Sequence, residues 1–177
     1  LFFLLLPDSI NNVDFECNGS ALDKYNGNPY SKVNITRSYY YVTTNMRVLV
    51  EHEWLEDLQF ISEPTEHHYK RITVKFVCDR GILAEFTRHR VFSFSCESTR
   101  YCNYSKDKFD MSVTFIQPNW IKEEHKEEFE EDCALFEALY FKWLNMGYTP
   151  QYARYFLNNG VKTELVATAF IDDWKHF

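Results

Sequence analysis

The alternation of apolar and polar positions divides the chain into recognisable elements. It opens on an unbroken apolar run, Leu1-Phe2-Phe3-Leu4-Leu5-Leu6, the length of a buried strand. Residues 8–45 are polar and carry the turn formers Asn11-Asn12, Asn18-Gly19 and Asn26-Gly27-Asn28-Pro29, which punctuate structure rather than extend it. Within them, Tyr39-Tyr40-Tyr41-Val42-Thr43-Thr44 reads as a strand from its aromatic and β-branched content. The stretch is expected to be a long surface excursion with room for a hairpin. Met46 to Phe60 reads as a helix, with Val48, Leu49, Trp54, Leu55 and Leu58 as its apolar stripe.

Residues 71–78 alternate as a half-buried strand does. Asp79 follows as the N-cap of a short helix through Thr87, with Gly81 near its start. Residues 88–110 have no period and read as a loop. Val113 to Ile116 is a short strand ended by Pro118. The clearest helix places Phe129, Cys133, Phe136, Tyr140 and Trp143 at spacings of three and four, with Gly147 where a C′ glycine belongs. Thr149-Pro150 matches an N-cap followed by proline at the first helical position; that helix runs to about Leu157 and stops at Asn158-Asn159-Gly160. A last helix is predicted from Thr163, with Val166, Phe170, Trp174 and Phe177 on one face. The sum is one α+β domain with a helical C-terminal half.

Composition narrows the class. The 177 residues suit one domain, and 45% apolar residues supply a core. Aromatic residues make up 18%, which excludes disorder for most of the chain. No apolar run reaches the roughly 18–20 residues of a membrane span. The net charge of −7 argues against a nucleic-acid polymer as partner. Five cysteines, an odd number with no C-x-x-C pair, suggest neither a disulfide framework nor a zinc knuckle, and point to a reducing, cytoplasmic compartment. Both ends look cut: the chain starts at Leu1 without the basic flank of a leader peptide, and stops inside a periodic pattern.

Charge locates the candidate chemistry. Between 88 and 108, five basic residues (Arg88, Arg90, Arg100, Lys106, Lys108) face two acids (Glu97, Asp107), a net of +3 that leaves −10 for the remainder. Ser93, Ser95, Ser98, Thr99 and Ser105 add hydroxyls. Arginine forks, hydroxyls and loop amides are what a phosphate requires; a solvated basic loop answering nearby acids is the plainer alternative. His89, between two arginines, is expected neutral, fit to orient a ligand or neighbouring loop, or to act as a general base. Glu66-His67-His68 lacks the helical spacing of a metal site, and the acids of Glu123–Asp132 form a solvated face. Arg154 lies between Tyr152 and Tyr155, where a lone cation wants an anionic partner. With no G-x-G-x-x-G and no P-loop lysine, any nucleotide must be held by side chains.

Arg88-His89-Arg90, seven residues, then Ser98-Thr99-Arg100 resembles the R-H-R-x7-S-x-R signature of flavin-dependent thymidylate synthases, the ThyX family. The stretch from Glu97 to Phe109, Pro150-x-x-Ala153-Arg154, and Lys162-Thr163-Glu164-Leu165 are similar to its longer members. The resemblance runs from about Met46 to Phe177 and more weakly before. It implies a ThyX-like mixed sheet and conversion of dUMP to dTMP, with methylenetetrahydrofolate as carbon donor, NADPH as reductant and bound FAD. It implies a homotetramer with active sites between subunits. By position, Arg88, His89, Arg90 and Val91 would contact FAD, and Ser95, Cys96 and Tyr101 would flank the flavin. Glu97, Ser98, Thr99 and Arg100 would hold dUMP, Arg154 would reach its phosphate and Glu85 its other end. Arg88 would also lie near the uracil. Arg88, Ser98 and Arg100 are thus the candidate catalytic residues, Ser98 preferred as a binding group.

The same resemblance marks departures. Cys96 stands where Gln or Glu is usual, and Leu157-Asn158-Asn159 stands for Leu-Pro-Asn. The family's Glu-His motif would precede Leu1 and its Asn-Leu-Arg would follow Phe177, so Glu66-His67 is read as a decoy. Residues 1–177 are therefore expected to be an incomplete catalytic domain with a polar insertion at about 8–45. The rival readings are a non-catalytic nucleotide-binding relic of the fold, and an interaction domain whose basic loop docks an acidic partner.

Overall fold

The computed structural model describes residues 2–6 and 12–177 of the chain, and among them are seven strands and five α-helices. The strands are β1 (Phe2–Leu6), β2 (Asn12–Asn18), β3 (Lys32–Thr36), β4 (Tyr39–Asn45), β5 (Arg71–Asp79), β6 (Ser93–Cys96) and β7 (Lys162–Phe170). The helices are α1 (Met46–Glu51), α2 (Arg80–Phe86), α3 (Lys126–Asn145), α4 (Pro150–Ala153) and α5 (Ile171–Trp174). One sheet has the order β2-β4-β3 and the other β1-β5-β7-β6. The class is α+β, as expected. Among the described residues, no helix is long and apolar enough to cross a membrane. Two compact units share the described chain: residues 2–3, 75–88 and 95–166, and residues 4–6, 12–74, 89–94 and 167–177.

The second of these units corrects the reading of residues 8–45, of which 8–11, with the Asn11 turn position, lie outside the described residues. From Asn12 onward the segment is no surface excursion. β4 pairs antiparallel with both β2 and β3, Val42 opposing Phe15 on one side and Val33 on the other. The β3–β4 hairpin turns at Arg37, whose φ of 57° is left-handed. Burial alternates along β2, and Val13, Phe15 and Cys17 join Leu22, Tyr25, Val42, Val48 and Leu49 in a core of their own. Tyr25 is wholly buried and donates its hydroxyl to Asp57 Oδ2 at 2.8 Å. Turn-rich composition and a period-two apolar face coexist because turns sit only at the strand ends.

The helix expected over Met46–Phe60 is interrupted. Asn45 caps α1 through its side chain, accepting from Val48 N. The helix then closes with Trp54 N donating to Leu49 O and Glu53 N to Val50 O, the two bonds of a Schellman ending, with Glu53 at φ 59°. This reversal sets the Trp54 ring against Tyr25, 4.9 Å between centroids. A 3₁₀ turn, Leu55–Phe60, follows.

The β5–α2 reading holds. Asp79 accepts from Ile82 N at 2.8 Å, the expected N-cap bond. Arg71, at the start of β5, is buried and donates to Asn12 Oδ1, Thr44 O and Ser93 Oγ. Burial pulls its pKa down to about 10. The stretch read as a loop contains β6, a short strand whose period four residues are too few to reveal. The expected Val113–Ile116 strand is only a bridge between Phe115 and Val161.

α3 carries the expected stripe, with Tyr140 wholly buried beside Tyr104, Val113, Ala153 and Val161. Gly147, at φ 91°, ends it: Tyr148 N donates to Trp143 O and Gly147 N to Leu144 O. The predicted helix from Thr163 is wrong. Thr163, Leu165, Ala167 and Ala169 are buried at alternate positions, and the segment is β7. Val166 and Phe170 satisfy a four-residue spacing by coincidence. Pairing in the sheet and β-branched Thr163, Val166 and Thr168 favour the two-residue period instead. Only the short α5 after Phe170 is helical.

Two stability measurements test this reading. Phe15→Ala empties a fully buried position and is expected to lower unfolding free energy by about 3–5 kcal/mol in urea titrations. Gly147→Ala meets no atom within 4 Å. Its expected cost is the left-handed backbone alone, about 1–2 kcal/mol.

Candidate functional site

The motif residues leave α2 and thread the following loop. Glu85 lies in the last turn of α2, and its carboxylate meets Arg88 Nη1 at 3.3 Å. Both side chains are largely exposed, so the pair is easily exchanged for a ligand. His89 rests on aromatic rings, 4.8 Å from Phe177 and 5.7 Å from Phe92 between centroids. Arg90 and Val91 are exposed, and Arg90 has no ion pair among the described residues. Ser95 and Cys96 are exposed on β6. His89, Arg90 and Val91 belong to one compact unit; Arg88, Ser95, Cys96 and Tyr101 belong to the other.

Residues 97–102 are shaped by local bonds. Glu97 N donates to Glu164 O, tying the loop to β7. Ser98 O then accepts from Tyr101 N and Cys102 N, and Ser98 Oγ from Arg100 N at 3.4 Å. This turn buries Thr99 and leaves Arg100 and Tyr101 outside. The Arg100 guanidinium lies over the Tyr101 ring at 5.6 Å. Burial raises the Cys102 thiol, with Glu97 adding to it, and pushes the Tyr104 phenol up to about 12. Neither is an ionised nucleophile at neutral pH.

Arg154 completes the cluster. Pro150 begins α4 and a 3₁₀ turn, Arg154–Phe156, follows it. Arg154 Nη1 donates to Thr99 Oγ1 at 3.2 Å and Nε to Gln151 O at 3.2 Å. Arg100 Nη2 donates to Gln151 Oε1 at 3.3 Å. Two segments 55 residues apart thus share one cleft of about 330 Å³. Its wall holds Arg80, Thr99, Gln151, Arg154, Asn158 and Asn159, completed by Tyr155 and Leu157, so no carboxylate lines it among the described residues. Arginine without a carboxylate suits an anion with several oxygens. Glu97 is not part of this cleft; it lines a separate depression with Lys108 and Lys162.

Four polar members of the cleft carry no site role in the sequence reading. Arg80 and Gln151 sit at the starts of α2 and α4, and Asn158 and Asn159 in one turn. The one available signal was Arg80, a cation directly behind an N-cap acid.

Residues 53–177 match the profile of the thymidylate synthase complementing protein family. Among curated relatives, the flavin-dependent thymidylate synthase of Pyrococcus furiosus is 30% identical over 102 residues, covering 56% of this chain and 41% of that protein. The protein of the same name from Haloarcula marismortui is 30% identical over 125 residues, covering 58% of this chain and 50% of its own length. The one from Thermococcus onnurineus is 29% identical over 106 residues, with 56% and 41% covered. The chain therefore spans about half the length, or less, of these relatives.

The Arg154–Thr99 contact is testable before any ligand is added. Thr99→Val keeps the shape and removes the acceptor. Its expected cost is about 0.5–1.5 kcal/mol by urea titration, with wild-type far-UV dichroism retained.

Proposed function

We propose, from the premise that this chain belongs to the thymidylate synthase complementing protein family, that it contributes the nucleotide-holding part of a flavin-dependent thymidylate synthase. The reaction is reductive methylation of dUMP to dTMP, with methylenetetrahydrofolate as carbon donor and NADPH as reductant, in a homotetramer whose active sites lie between subunits. The observation that carries this reading is the acid-free cleft in which Arg154 reaches Thr99 of the Ser98-Thr99-Arg100 motif.

In this reading the phosphate of dUMP occupies the cleft. Arg154 is already aimed by its bonds to Thr99 and Gln151, so little side-chain freedom is lost on binding. Arg100 shares Gln151 and closes on the same anion. Ser98 adds a hydroxyl, and Glu85 and Arg88 exchange their mutual contact for the nucleotide's far end. Arg88 then stands near the pyrimidine, where negative charge gathers as its C5 becomes nucleophilic, and a fixed guanidinium stabilises that charge.

His89, Arg90 and Val91 in one compact unit, and Ser95, Cys96 and Tyr101 in the other, each carry groups that would suit FAD. Exposed Arg90, without an ion pair among the described residues, offers a cation for the cofactor's phosphates. The exposed Ser95 hydroxyl and the Tyr101 ring offer a donor and a face, and Val91 an apolar contact. His89, held between Phe92 and Phe177, has a defined orientation. Cys96 would offer a thiol to the flavin. When bound, the flavin carries the reducing equivalents; the protein's part is to position it.

Two measurements test the reading. The purified chain is expected to be yellow, with absorbance near roughly 450 nm. It is also expected to bind dUMP in calorimetry. Arg100→Ala and Arg154→Ala should each weaken dUMP about 10- to 100-fold, the worth of a charged hydrogen bond. A chain that binds dUMP without colour would be a nucleotide-binding relic; equal dUMP affinity in parent and both variants would defeat the assignment.

A further inference from the structure

Of the two charged side chains buried among the described residues, Asp57 is answered by Lys24 Nζ at 2.9 Å, whereas Arg71 has no ion pair there. Asp14 and Asp173 favour its charge only from beyond ion-pair reach, and its Nε is buried with no hydrogen-bond partner. A buried guanidinium in this state costs stability that an apolar side chain of similar volume would not. What Arg71 does supply is geometry. Nη1 donates to Asn12 Oδ1 on β2 at 2.9 Å and to Thr44 O on β4 at 3.3 Å, and Nη2 donates to Ser93 Oγ on β6 at 3.1 Å. Its Cζ lies over the Phe170 ring at the end of β7, 5.4 Å from the centroid. A planar fork makes such bonds at fixed angles, which a single ammonium cannot. All of these residues belong to one compact unit.

Ser93 ends the turn that carries His89, Arg90 and Val91. Phe92 N donates to His89 O at 3.0 Å, so residues 89–92 fold back on themselves just before β6. A second path reaches the same turn from the next residue of β5. Ile72 O accepts from Trp174 Nε1 at 3.1 Å, and the Trp174 ring lies 4.7 Å from Phe92 and 5.3 Å from Phe177. The His89 ring rests on those two phenylalanines. His89 is thus held by two routes that both start at the first two residues of β5.

We infer that Arg71 is a positioning residue for the flavin: its fork ties β2 and β4 to Ser93, and so sets the turn that presents His89, Arg90 and Val91 to the cofactor. The inference rests on the flavin reading above and adds a residue that the motif does not contain. Neither Arg71 nor the three-stranded sheet needs to touch the cofactor for this. A cofactor contact made by a loop residue is worth most when the loop is fixed before the cofactor arrives. The three acceptors of Arg71 come from three separate strands, so a shift of Ser93 breaks a bond whose other end is anchored in β2 and β4.

The test uses the full chain, freed of flavin and titrated with FAD, following FAD fluorescence and the visible circular dichroism of the flavin band. Arg71→Met keeps the length without the donors. It is expected to weaken FAD about tenfold or more, the worth of a hydrogen bond to a charged group, and to alter the flavin dichroism at saturation. The affinity of the flavin-free chain for dUMP, read in calorimetry, should stay at the parent's value, because Ser98, Thr99, Arg100 and Arg154 belong to the other compact unit. Arg71→Lys keeps the charge without the fork and is expected to behave as Arg71→Met does; full recovery with lysine would overturn the role of the fork. Ser93→Ala removes only the acceptor in the turn. It is expected to weaken FAD in the same direction, and the double variant with Arg71→Met should be no weaker than Arg71→Met alone. Parent-like FAD affinity and dichroism in Arg71→Met would sink this inference and leave the flavin reading standing. Equal losses for FAD and dUMP would mean that Arg71 only holds the fold, and the inference falls as well. If the parent takes up no FAD, the flavin reading fails and this inference with it. Should Arg71→Met fold poorly, Ser93→Ala decides: FAD affinity and dichroism equal to the parent's would exclude the role proposed here.

Discussion

One carbonyl oxygen organises the candidate site. Asn159 O accepts from the first two amides of α2, Arg80 N and Gly81 N. A helix start has amides with no partner inside the helix, and they must be satisfied somewhere. Here Asp79 takes one through its side chain and the Asn158-Asn159-Gly160 turn takes others. The turn itself is held by Asn158 Oδ1, which accepts from Gly160 N at 2.8 Å. This clamp joins the segment that ends in Arg88 to the segment that carries Arg154. Gly81 lies close against it: an added Cβ would stand 3.1 Å from Asp79 Oδ1.

The rest of the cleft follows from that junction. Past the turn, β7 starts at Lys162, and its Glu164 carbonyl receives Glu97 N. The loop is thereby set before the Ser98 turn begins. The Glu164 carboxyl, held by Lys162 and Lys75, lies below its ordinary range, so it stays ionised and paired through neutral pH. Before the turn, α3 ends at Gly147 and Pro150 starts α4, which delivers Gln151 and Arg154 on one side. Arginine side chains are flexible, and an anion site built from them works only if they are fixed before the ligand arrives. Hydrogen bonds to Thr99, Gln151 and the Gln151 carbonyl do that here.

The unit built on β2, β4 and β3 is a different kind of structure. Its core is aromatic and aliphatic, and buried polar groups are paired within it, as Tyr25 is with Asp57 and Ser31 with Thr44. Much of the chain's aromatic content is placed there and around Phe92, Trp174 and Phe177. High aromatic content thus reports packed cores rather than one ligand site.

Local chemistry was legible in the sequence wherever one short segment decides the outcome. Asp79 as a cap, Gly147 at a left-handed position, Pro150 at a helix start and the strand at 71–78 all depend on neighbours a few residues away, and all are present. The motif from Arg88 to Arg100 was equally plain, because residue types at fixed spacing survive without knowledge of the fold. What the sequence could not decide was whatever needs a distant partner. Residues 163–170 suit either period, and only a neighbouring strand selects the two-residue one. The helix begun at Met46 ends where Trp54 finds Tyr25, 29 positions away in the chain. Arg80 and Arg154 are 74 positions apart, and no spacing rule links them. Tertiary structure brings them to one cleft because the amides of a helix start had to find an acceptor, and Asn159 supplied it.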